Sequence, residues 1–287
     1  MMQNITESLP LAGHCTMRVG GIARRGCFPD TEEDLCKAIS ECRMESSRYA
    51  VIGNASNCIF PDTGYDGTVI FTTEIRGIRI DGTLLTASCG EKLSAVARAA
   101  RDASLSGLEF AYGIPGTVGG AVYMNAGAYG GEIKDCLSTV KVLDGNGEIS
   151  VLPVQELELS YRKSIFMKRE LIILEASFEL TRGDKDTISA LMEDYTRRRS
   201  EKQPLDKPSC GSTFKRPEGN FAGALIEQCG LKGMRIGGAS VSEKHAGFIV
   251  NDGGATSSDV TALIKAVQKK VFEETGVMLE PEIRIFE

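Results

Sequence analysis

A chain of 287 residues, of which 42% are hydrophobic and 25% charged, has the composition of an ordinary globular protein and is long enough for more than one domain. Its formal net charge of -6 argues against binding to a nucleic-acid backbone, which needs clustered Lys and Arg side chains; Arg197–Arg199 is the one basic run. The sequence also lacks a signal-peptide pattern and an apolar stretch of membrane-spanning length, so we expect a cytoplasmic protein with no membrane partner.

The nine cysteines are scattered along the chain without a Cys-x-x-Cys pair, and only two histidines are present. This spacing predicts reduced thiols that serve as small, mostly buried hydrophobic residues. It also disfavours a zinc site, so we expect no metal.

The first third of the chain predicts a capped helix followed by a buried strand. Thr31-x-x-Asp34 precedes an apolar stripe at helical spacing that includes Leu35 and Ile39, which is typical of an amphipathic helix with a side-chain cap. The strand Tyr49–Ile52 then ends in the loop Gly53–Asn57. Such a loop is either a simple strand-end turn or a surface that faces a ligand.

The most unusual stretch is Gly107–Gly130, which follows a predicted strand at Val69–Thr73, an Asp81-Gly82 hairpin and a helix over residues 93–100. Glycine recurs too often there for an ordinary helix or strand, and glycine lets another group lie directly against the backbone. The amides of such a loop can surround a phosphate. The stretch fits neither the Walker pattern nor the dinucleotide-binding fingerprint. The alternative is a glycine-rich loop that only changes the direction of the chain.

The second half of the chain mixes predicted strands and helices without a regular strand-helix repeat. A hairpin around Asp144–Gly147 and a β-rich segment at Leu171–Leu180 precede a helix over 184–199, which Pro204 limits. A final helix is capped by Thr256 and stopped by Gly276. This pattern favours an α+β protein with a domain boundary near residue 185.

Several motifs resemble those of the UDP-N-acetylenolpyruvoylglucosamine reductase family, the flavoproteins of bacterial cell-wall precursor synthesis. They are the glycine-rich run, Val19-Gly20-Gly21, Tyr-Arg-x-Ser at 161–164, Gly-Ser-x-Phe-Lys-x-Pro at 211–217 and Pro-Glu-Ile-Arg at 281–284. Met17 and Ala55 depart from the family pattern, which more often has an aromatic residue and a glycine there. No insertion follows Tyr161, so the chain resembles the shorter subtype that lacks a substrate-covering tyrosine loop.

The resemblance implies a fold and a cofactor. The fold would be a two-subdomain FAD-binding unit of the vanillyl-alcohol-oxidase/PCMH type, at 1–75 and 76–185, followed by a C-terminal α/β substrate-binding domain at 186–287. FAD would be bound non-covalently, with NADPH as the hydride donor. The implied FAD-binding residues are Ile52, Gly53, Asn54, Ala55, Ser56, Asn57, Gly113, Ile114, Pro115, Gly116, Thr117, Gly119, Gly120, Asn125 and Ala126.

The resemblance also implies a reaction, the reduction of UDP-N-acetylglucosamine enolpyruvate to UDP-N-acetylmuramate. Hydride from flavin N5 would reach the terminal alkene carbon, and negative charge would develop on the carbon next to the carboxylate. Arg162 would hold that charge, Glu282 would donate a hydrogen bond to the same oxygens, and Ser212 would supply the proton. Taken singly, these residues are more often a surface arginine, a turn or cap serine and an exposed glutamate.

The implied substrate-binding residues are Tyr129, Tyr161, Lys202, Lys215 and Arg216, whose cations suit a nucleotide diphosphate. A solvated basic face is the alternative for the three cations. His245 is more often structural than catalytic and is not assigned. No protein partner is evident.

Two other functions remain open at this stage. One is a flavin oxidase of the same cofactor-domain superfamily that acts on another small molecule, although the glycine-rich run offers no histidine for a covalent flavin bond. The other is a catalytically silent nucleotide-binding module, in which Ser212 could be replaced without kinetic effect.

Overall fold

The computed structural model describes residues 4–287, which contain mixed helices and sheets, so the predicted α+β class is confirmed. The α-helices are α1 (Glu32–Met44), α2 (Leu93–Asp102), α3 (Val118–Met124), α4 (Lys185–Lys202), α5 (Ala222–Gln228) and α6 (Ser257–Thr275). The strands are β1 (Ile5–Pro10), β2 (Ile22–Cys27), β3 (Tyr49–Ile52), β4 (Cys58–Ile59), β5 (Tyr65–Phe71), β6 (Ile78–Asp81), β7 (Leu84–Ser88), β8 (Leu105–Ser106), β9 (Gly127–Ala128), β10 (Gly131–Glu132), β11 (Leu137–Asp144), β12 (Ile149–Pro153), β13 (Leu171–Glu179), β14 (Thr181–Arg182), β15 (Arg235–Ile236), β16 (Ala239–Val241), β17 (Ile249–Asn251) and β18 (Arg284–Ile285).

The chain forms two compact units, each built from several segments. The first contains the described residues up to Thr6, Arg25–Asn54 and Gly67–Arg199; the second contains Glu7–Arg24, Ala55–Asp66 and Ser200–Glu287. Helix α4 therefore carries the chain from one unit to the next. The sequence-based divisions after residues 75 and 185 stay predictions.

The first unit is organised around an antiparallel sheet with strand order β12-β11-β13-β7-β6. The predicted hairpins are confirmed: Asp81 pairs with Leu84 and Leu143 pairs with Ile149. Strand β3 pairs in parallel with β5, which begins at Tyr65 and ends at Phe71, so the predicted strand at Val69–Thr73 extended too far at its carboxyl end. Residues Thr72–Glu74 form a 3-10 turn instead.

Helix α1 follows the sequence pattern closely. The side chain of Thr31 accepts a hydrogen bond from the Asp34 amide, and Leu35, Ala38 and Ile39 are buried in the core of the first unit. A cap of this kind stabilises a helix by about 1 kcal/mol because it satisfies an amide that the helix leaves unpaired.

Helix α3 is the main departure from the sequence analysis, which expected no helix within the glycine-rich run. Thr117 caps it, while Val118, Ala121 and Val122 are buried in the core. Burial of this apolar face outweighs the low helix propensity of glycine, which costs about 1 kcal/mol per residue. Gly119 is needed there, because a Cβ atom would lie 3.2 Å from Cβ of Cys89.

The second unit packs α5 and α6 with the sheet β15-β16-β17 around a separate core. Helix α6 begins with the predicted capping box of Thr256 and Asp259 and ends at Gly276, whose φ of 71° lies in the left-handed region. Strand β18 runs parallel to β4, which places Arg284 beside Cys58. The last residues of the chain therefore lie next to the loop that precedes β4.

Two further observations concern composition. The nine cysteines are free thiols, and most are buried, as the sequence predicted. No helix within residues 4–287 is long and apolar enough to cross a membrane.

Candidate active site

The loop Gly53–Asn57 presents an unusual run of backbone donors. Within residues 4–287, the amides of Gly53, Asn54, Ala55 and Ser56 donate to no carbonyl outside the regular helices and strands, whereas the Asn57 amide donates to the thiol of Cys58. Buried or half-buried backbone amides are almost always paired, so a run without acceptors indicates a bound anion or ordered water. The same holds for the amides of Gly116 and Thr117. The donors of the first unit, at Gly53, Asn54, Gly116 and Thr117, fit the phosphates of a dinucleotide cofactor such as FAD.

Gly53 and Asn54 bring the start of this loop against the glycine-rich run. A Cβ atom on Gly53 would lie only 2.0 Å from Oγ1 of Thr117, so a side chain would collide there. Nδ2 of Asn54 donates to the carbonyl of Pro115 over 2.8 Å. The first unit thus brings together two stretches that the sequence assigned to FAD separately.

Ala55 adopts a backbone conformation that favours glycine. Its φ is 44°, in the left-handed region, and its side chain is buried. The family more often has glycine at this position, and the structure supplies the reason, because a left-handed L-residue is strained by about 1–2 kcal/mol. Such strain is concentrated at functional sites.

Asn125 connects the glycine-rich run to the Tyr161-Arg162 turn. It ends α3 with a φ of 41° and is fully buried. Its Nδ2 donates to Glu132 (2.7 Å) and to the carbonyl of Ser160 (3.0 Å), and its Oδ1 accepts from the Lys134 amide. Its amide donates to the carbonyl of Val122 and its carbonyl accepts from Arg162, so the predicted part of Asn125 in FAD binding would be to position the neighbouring chain.

Arg162 is held in a fixed orientation by backbone carbonyls. Its two terminal nitrogens donate to the carbonyls of Asn125 (3.2 Å) and Gly127 (2.9 Å), and its guanidinium lies 4.9 Å from the centroid of the Tyr161 ring. Ser160 and Lys163 close the turn beneath it with two hydrogen bonds. Arg162 has a φ of 53°, in the left-handed region that is strained for a non-glycine residue.

Tyr129 and Arg199 lie on the same side of the first unit. The ring of Tyr129 stacks on that of Tyr195 at 4.4 Å, and the Arg199 side chain packs 3.1 Å from the position of a Cβ atom on Gly113. Burial lowers the pKa of the Arg199 guanidinium, and Tyr129 opposes that shift. Within residues 4–287 no carboxylate pairs with Arg199, so a half-buried positive charge remains available for an anion.

Arg199 is not among the site residues that the sequence motifs predict. Arg199 belongs to the basic run Arg197–Arg199, but composition alone does not show which of the three side chains is partly buried. Arg197 and Arg198 both pair with Asp194.

In the second unit, Ser212 lies on an extended segment before α5. Its side chain is exposed, and its hydroxyl makes no hydrogen bond to any residue that the structure describes. Helix α5 begins at Ala222 with Phe221 as its cap. Ser212 therefore does not cap that helix, which removes one structural explanation for its presence.

Thr213, next to Ser212, joins three segments of the second unit. Its amide donates to the carbonyl of Gly247 (2.8 Å), its Oγ1 accepts from the Ile249 amide (3.0 Å), and its carbonyl accepts from the Glu282 amide (2.8 Å). Nδ2 of Asn57 donates to the carbonyl of Glu282 over 3.1 Å. The backbones that carry Ser212, Glu282 and the end of the Gly53–Asn57 loop are thus connected by hydrogen bonds. Nothing in the sequence singled out Thr213.

The predicted substrate cations have different environments. Nζ of Lys215 forms an ion pair with Glu280, and the Arg216 guanidinium lies 4.3 Å from the centroid of the Phe221 ring. Lys202 is exposed at the end of α4 and has no ion-pair partner in the part of the chain described here. No metal-binding group of His, Cys, Asp or Glu residues is found among residues 4–287.

Comparisons with known proteins match both parts of the chain. A model described as an FAD binding domain covers residues 24–152, and one described as the C-terminal domain of UDP-N-acetylenolpyruvoylglucosamine reductase covers residues 203–286. These matches confirm the predicted FAD-binding part and the C-terminal domain that follows it.

Curated proteins named UDP-N-acetylenolpyruvoylglucosamine reductase align over almost the whole chain. The one from Caldicellulosiruptor bescii is 50% identical over 96% of this chain and 88% of its own, and the one from Exiguobacterium sibiricum is 49% identical over 96% and 91%. The crystal structure of the Thermus caldophilus reductase, 35% identical, covers 99% of this chain and 98% of its own with a TM-score of 0.83.

Proposed function

Because this chain belongs to the UDP-N-acetylenolpyruvoylglucosamine reductase family, we propose that it reduces UDP-N-acetylglucosamine enolpyruvate to UDP-N-acetylmuramate, with FAD as cofactor and NADPH as reductant. The observation that carries the proposal is the alignment of 96% of the chain at 50% identity with such a reductase. The alignment includes both the FAD-binding part of the chain and its C-terminal domain.

The unpaired amides support the assignment of FAD. In the first unit, the amides of Gly53, Asn54, Gly116 and Thr117 are the donors that would hold its phosphates. FAD, held by these residues, would supply the hydride chemistry that connects the reduced nicotinamide with the alkene of the substrate. Gly53 and Gly113 have no side chain, and this lets Thr117 and Arg199 pack directly against the backbone at these two positions.

Arg162 is proposed to hold the substrate carboxylate. A guanidinium offers paired N–H donors that match a carboxylate, and its charge stabilises the negative charge that develops when hydride arrives at the neighbouring carbon. The carbonyls of Asn125 and Gly127 fix its direction before the substrate binds. A fixed cation of this kind needs little reorganisation during the reaction.

Ser212 is proposed to deliver the proton to the carbon that becomes carbanionic, and Glu282 to hydrogen-bond the carboxylate oxygens. The Ser212 hydroxyl is available because no described residue accepts or donates a hydrogen bond to it. Lys215, a cation three residues after Ser212, already pairs with Glu280, so the proton donor depends more on its placement than on that charge. The backbone of Thr213 supplies that placement.

The substrate's diphosphate would meet the cations of the chain. The proposed cations are Lys202, Lys215 and Arg216 of the second unit, of which Lys215 pairs with Glu280 and Arg216 lies against Phe221. Tyr129 and Tyr161, both partly exposed aromatic residues, are proposed to contact the rest of the substrate. The cytoplasm, where NADPH and nucleotide sugars occur, remains the proposed location.

An anaerobic two-step titration tests the function. The purified protein should be yellow, NADPH should bleach the flavin absorbance, and UDP-N-acetylglucosamine enolpyruvate should then restore it without oxygen. UDP-N-acetylglucosamine, which lacks the alkene, serves as the control and should leave the flavin bleached. Recovery that needs oxygen would indicate an oxidase, and a colourless protein that takes up no FAD would refute the proposal.

A further inference from the structure

His245 lies in the loop between β16 and β17, where its ring is fixed by its surroundings. Nδ1 accepts a hydrogen bond from the Gly247 amide over 3.1 Å, and the ring meets Phe248 edge-on at 5.0 Å between centroids. A Cβ atom on Gly247 or on Gly223 of α5 would come within 3.0 Å and 3.3 Å of the ring carbon Cε1. The imidazole therefore fills a close-fitting space between two glycines, and its acceptor nitrogen binds the loop backbone.

A short series of hydrogen bonds connects this ring to the predicted proton donor. The carbonyl of Gly247 accepts from the amide of Thr213, the residue after Ser212. Thr213 is fully buried, and its carbonyl accepts from the Glu282 amide. The Gly247 backbone, together with the Ile249 amide that donates to Oγ1 of Thr213, thus helps to hold the chain segments that carry the predicted chemistry of the second unit.

We propose that His245 is a positioning residue, which in its neutral form holds the Gly247–Thr213 backbone so that Ser212 and Glu282 are correctly placed. The inference rests on the proposed function for the roles of Ser212 and Glu282. It needs the neutral imidazole, because Nδ1 can accept the Gly247 proton only while it carries none itself. When Nδ1 is protonated, it becomes a hydrogen-bond donor and faces the Gly247 amide, which is also a donor.

The surroundings keep this imidazole neutral. Burial is the largest cause, and it lowers the pKa of His245 below its ordinary value of 6.5. The positive charges of Lys232 and Lys202 lower this pKa further, whereas the backbone carbonyl of His245 and the negative charge of Glu227 raise it. Glu227 is itself paired with Lys232 at 2.6 Å, so its effect is partly cancelled. The neutral form is therefore the resting state, and the hydrogen bond is lost only as the pH falls through the lowered pKa.

The test measures the two half-reactions separately between about pH 5 and pH 8, a range that covers the titration of a histidine. His245→Asn places an amide oxygen near the position of Nδ1 and cannot be protonated in this range. His245→Leu removes the acceptor. His14→Asn changes the other histidine of the chain and serves as the matched control.

We expect His245→Leu to slow flavin re-oxidation by the enolpyruvyl substrate by about 10- to 100-fold, the effect of a misplaced catalytic group, and to change flavin reduction by NADPH less than about twofold. In the wild type and in His14→Asn, re-oxidation should fall at acid pH. His245→Asn should recover most of the rate lost in His245→Leu and should lack the acid decline. An acid decline unchanged in His245→Asn, or equal losses in both half-reactions of His245→Leu, would overturn the inference.

Amide hydrogen exchange on the FAD-bound protein without substrate tests the structural step alone. The protection factors of Gly247 and Thr213 should fall by about tenfold or more on acidification in the wild type, since the bond to Nδ1 opens, and should stay constant in His245→Asn. Constant protection in the wild type would refute the inference. A protein that failed to use the enolpyruvyl substrate would refute the proposed function instead, and the exchange data would still decide the role of His245.

Discussion

Gly53→Ala tests the contact between the Gly53–Asn57 loop and the glycine-rich run. The φ of Gly53 is not in the left-handed region, so an alanine suits the backbone and only the new methyl group matters. That methyl group would lie 2.0 Å from Oγ1 of Thr117 and 3.1 Å from its Cβ and Cγ2. Thr117 is 1% exposed and caps α3 through the Gly120 amide, so it cannot turn away without losing that bond.

The magnitude follows from these two effects. Overpacking of a buried contact costs about 1–3 kcal/mol, and loss of a threonine cap costs about 1 kcal/mol. We therefore expect Gly53→Ala to lower the free energy of unfolding of the first unit by about 2–4 kcal/mol. Displacement of the loop amides should also weaken FAD binding by about tenfold or more, which corresponds to about 1.4 kcal/mol.

The assay is a double-mutant cycle with Thr117→Ala, read by FAD titration and by thermal unfolding. Thr117→Ala removes both Oγ1 and Cγ2, so the methyl group of Gly53→Ala gains room, and the double variant should lose at least about 1 kcal/mol less than the sum of the single variants. Gly13→Ala is the matched control, because a Cβ atom on Gly13 would meet nothing within 4 Å. If Gly53→Ala were as harmless as Gly13→Ala, or the two losses simply added, the steric explanation would be wrong.

Three further predictions concern single residues. Ser212→Ala should leave FAD binding and flavin bleaching by NADPH nearly intact but slow re-oxidation by the substrate by about 10²–10⁴-fold, and Ser212→Cys should recover part of that rate, whereas equal losses in both steps would make the residue structural. Ala55→Gly relieves a left-handed residue and should raise the free energy of unfolding by about 0.5–1 kcal/mol, with an unchanged or lower thermal midpoint as the contrary result. Hydrogen bonds from Lys207 and Ser240 are the largest causes of the lowered pKa of Asp252. The ionised Asp252 therefore contributes to stability above its ordinary pKa of 3.8, and this contribution is lost as the pH falls through the lowered value. Asp252→Asn should make urea unfolding less dependent on pH in that acid range, and an unaltered dependence would exclude Asp252 as a contributor.

Much of the local structure could be read from short sequence patterns. The caps at Thr31 and Thr256 and the stop at Gly276 depend on neighbouring residues only, because a side chain a few positions away completes the hydrogen bond. The hairpin at Asp81-Gly82 is also local, because two adjacent turn residues define it. Local patterns failed within the glycine-rich run, where burial of Val118 and Val122 stabilises a helix that glycine propensity alone disfavours.

The proposed site shows the same division. The resemblance of motifs to a known family identified the glycine-rich run, Arg162, Ser212 and Glu282 from the sequence, and the comparisons confirm that family. The individual roles of these residues remain proposals. Thr213 carried no distinctive signal, and the basic run did not distinguish Arg199 from Arg197 and Arg198, because the environment of each residue depends on partners that are distant in sequence.

By itself, the sequence determined the class of the protein, its family, its cofactor and the residue types that the chemistry needs, since these depend on composition and on motifs a few residues long. Only the tertiary structure decided which amides stay unpaired, how Asn125 directs Arg162, and how Gly247 reaches Ser212 through Thr213. The physical reason is that hydrogen bonds and steric contacts act over about 3–4 Å, so they are set by the folded positions of segments that the sequence leaves tens of residues apart.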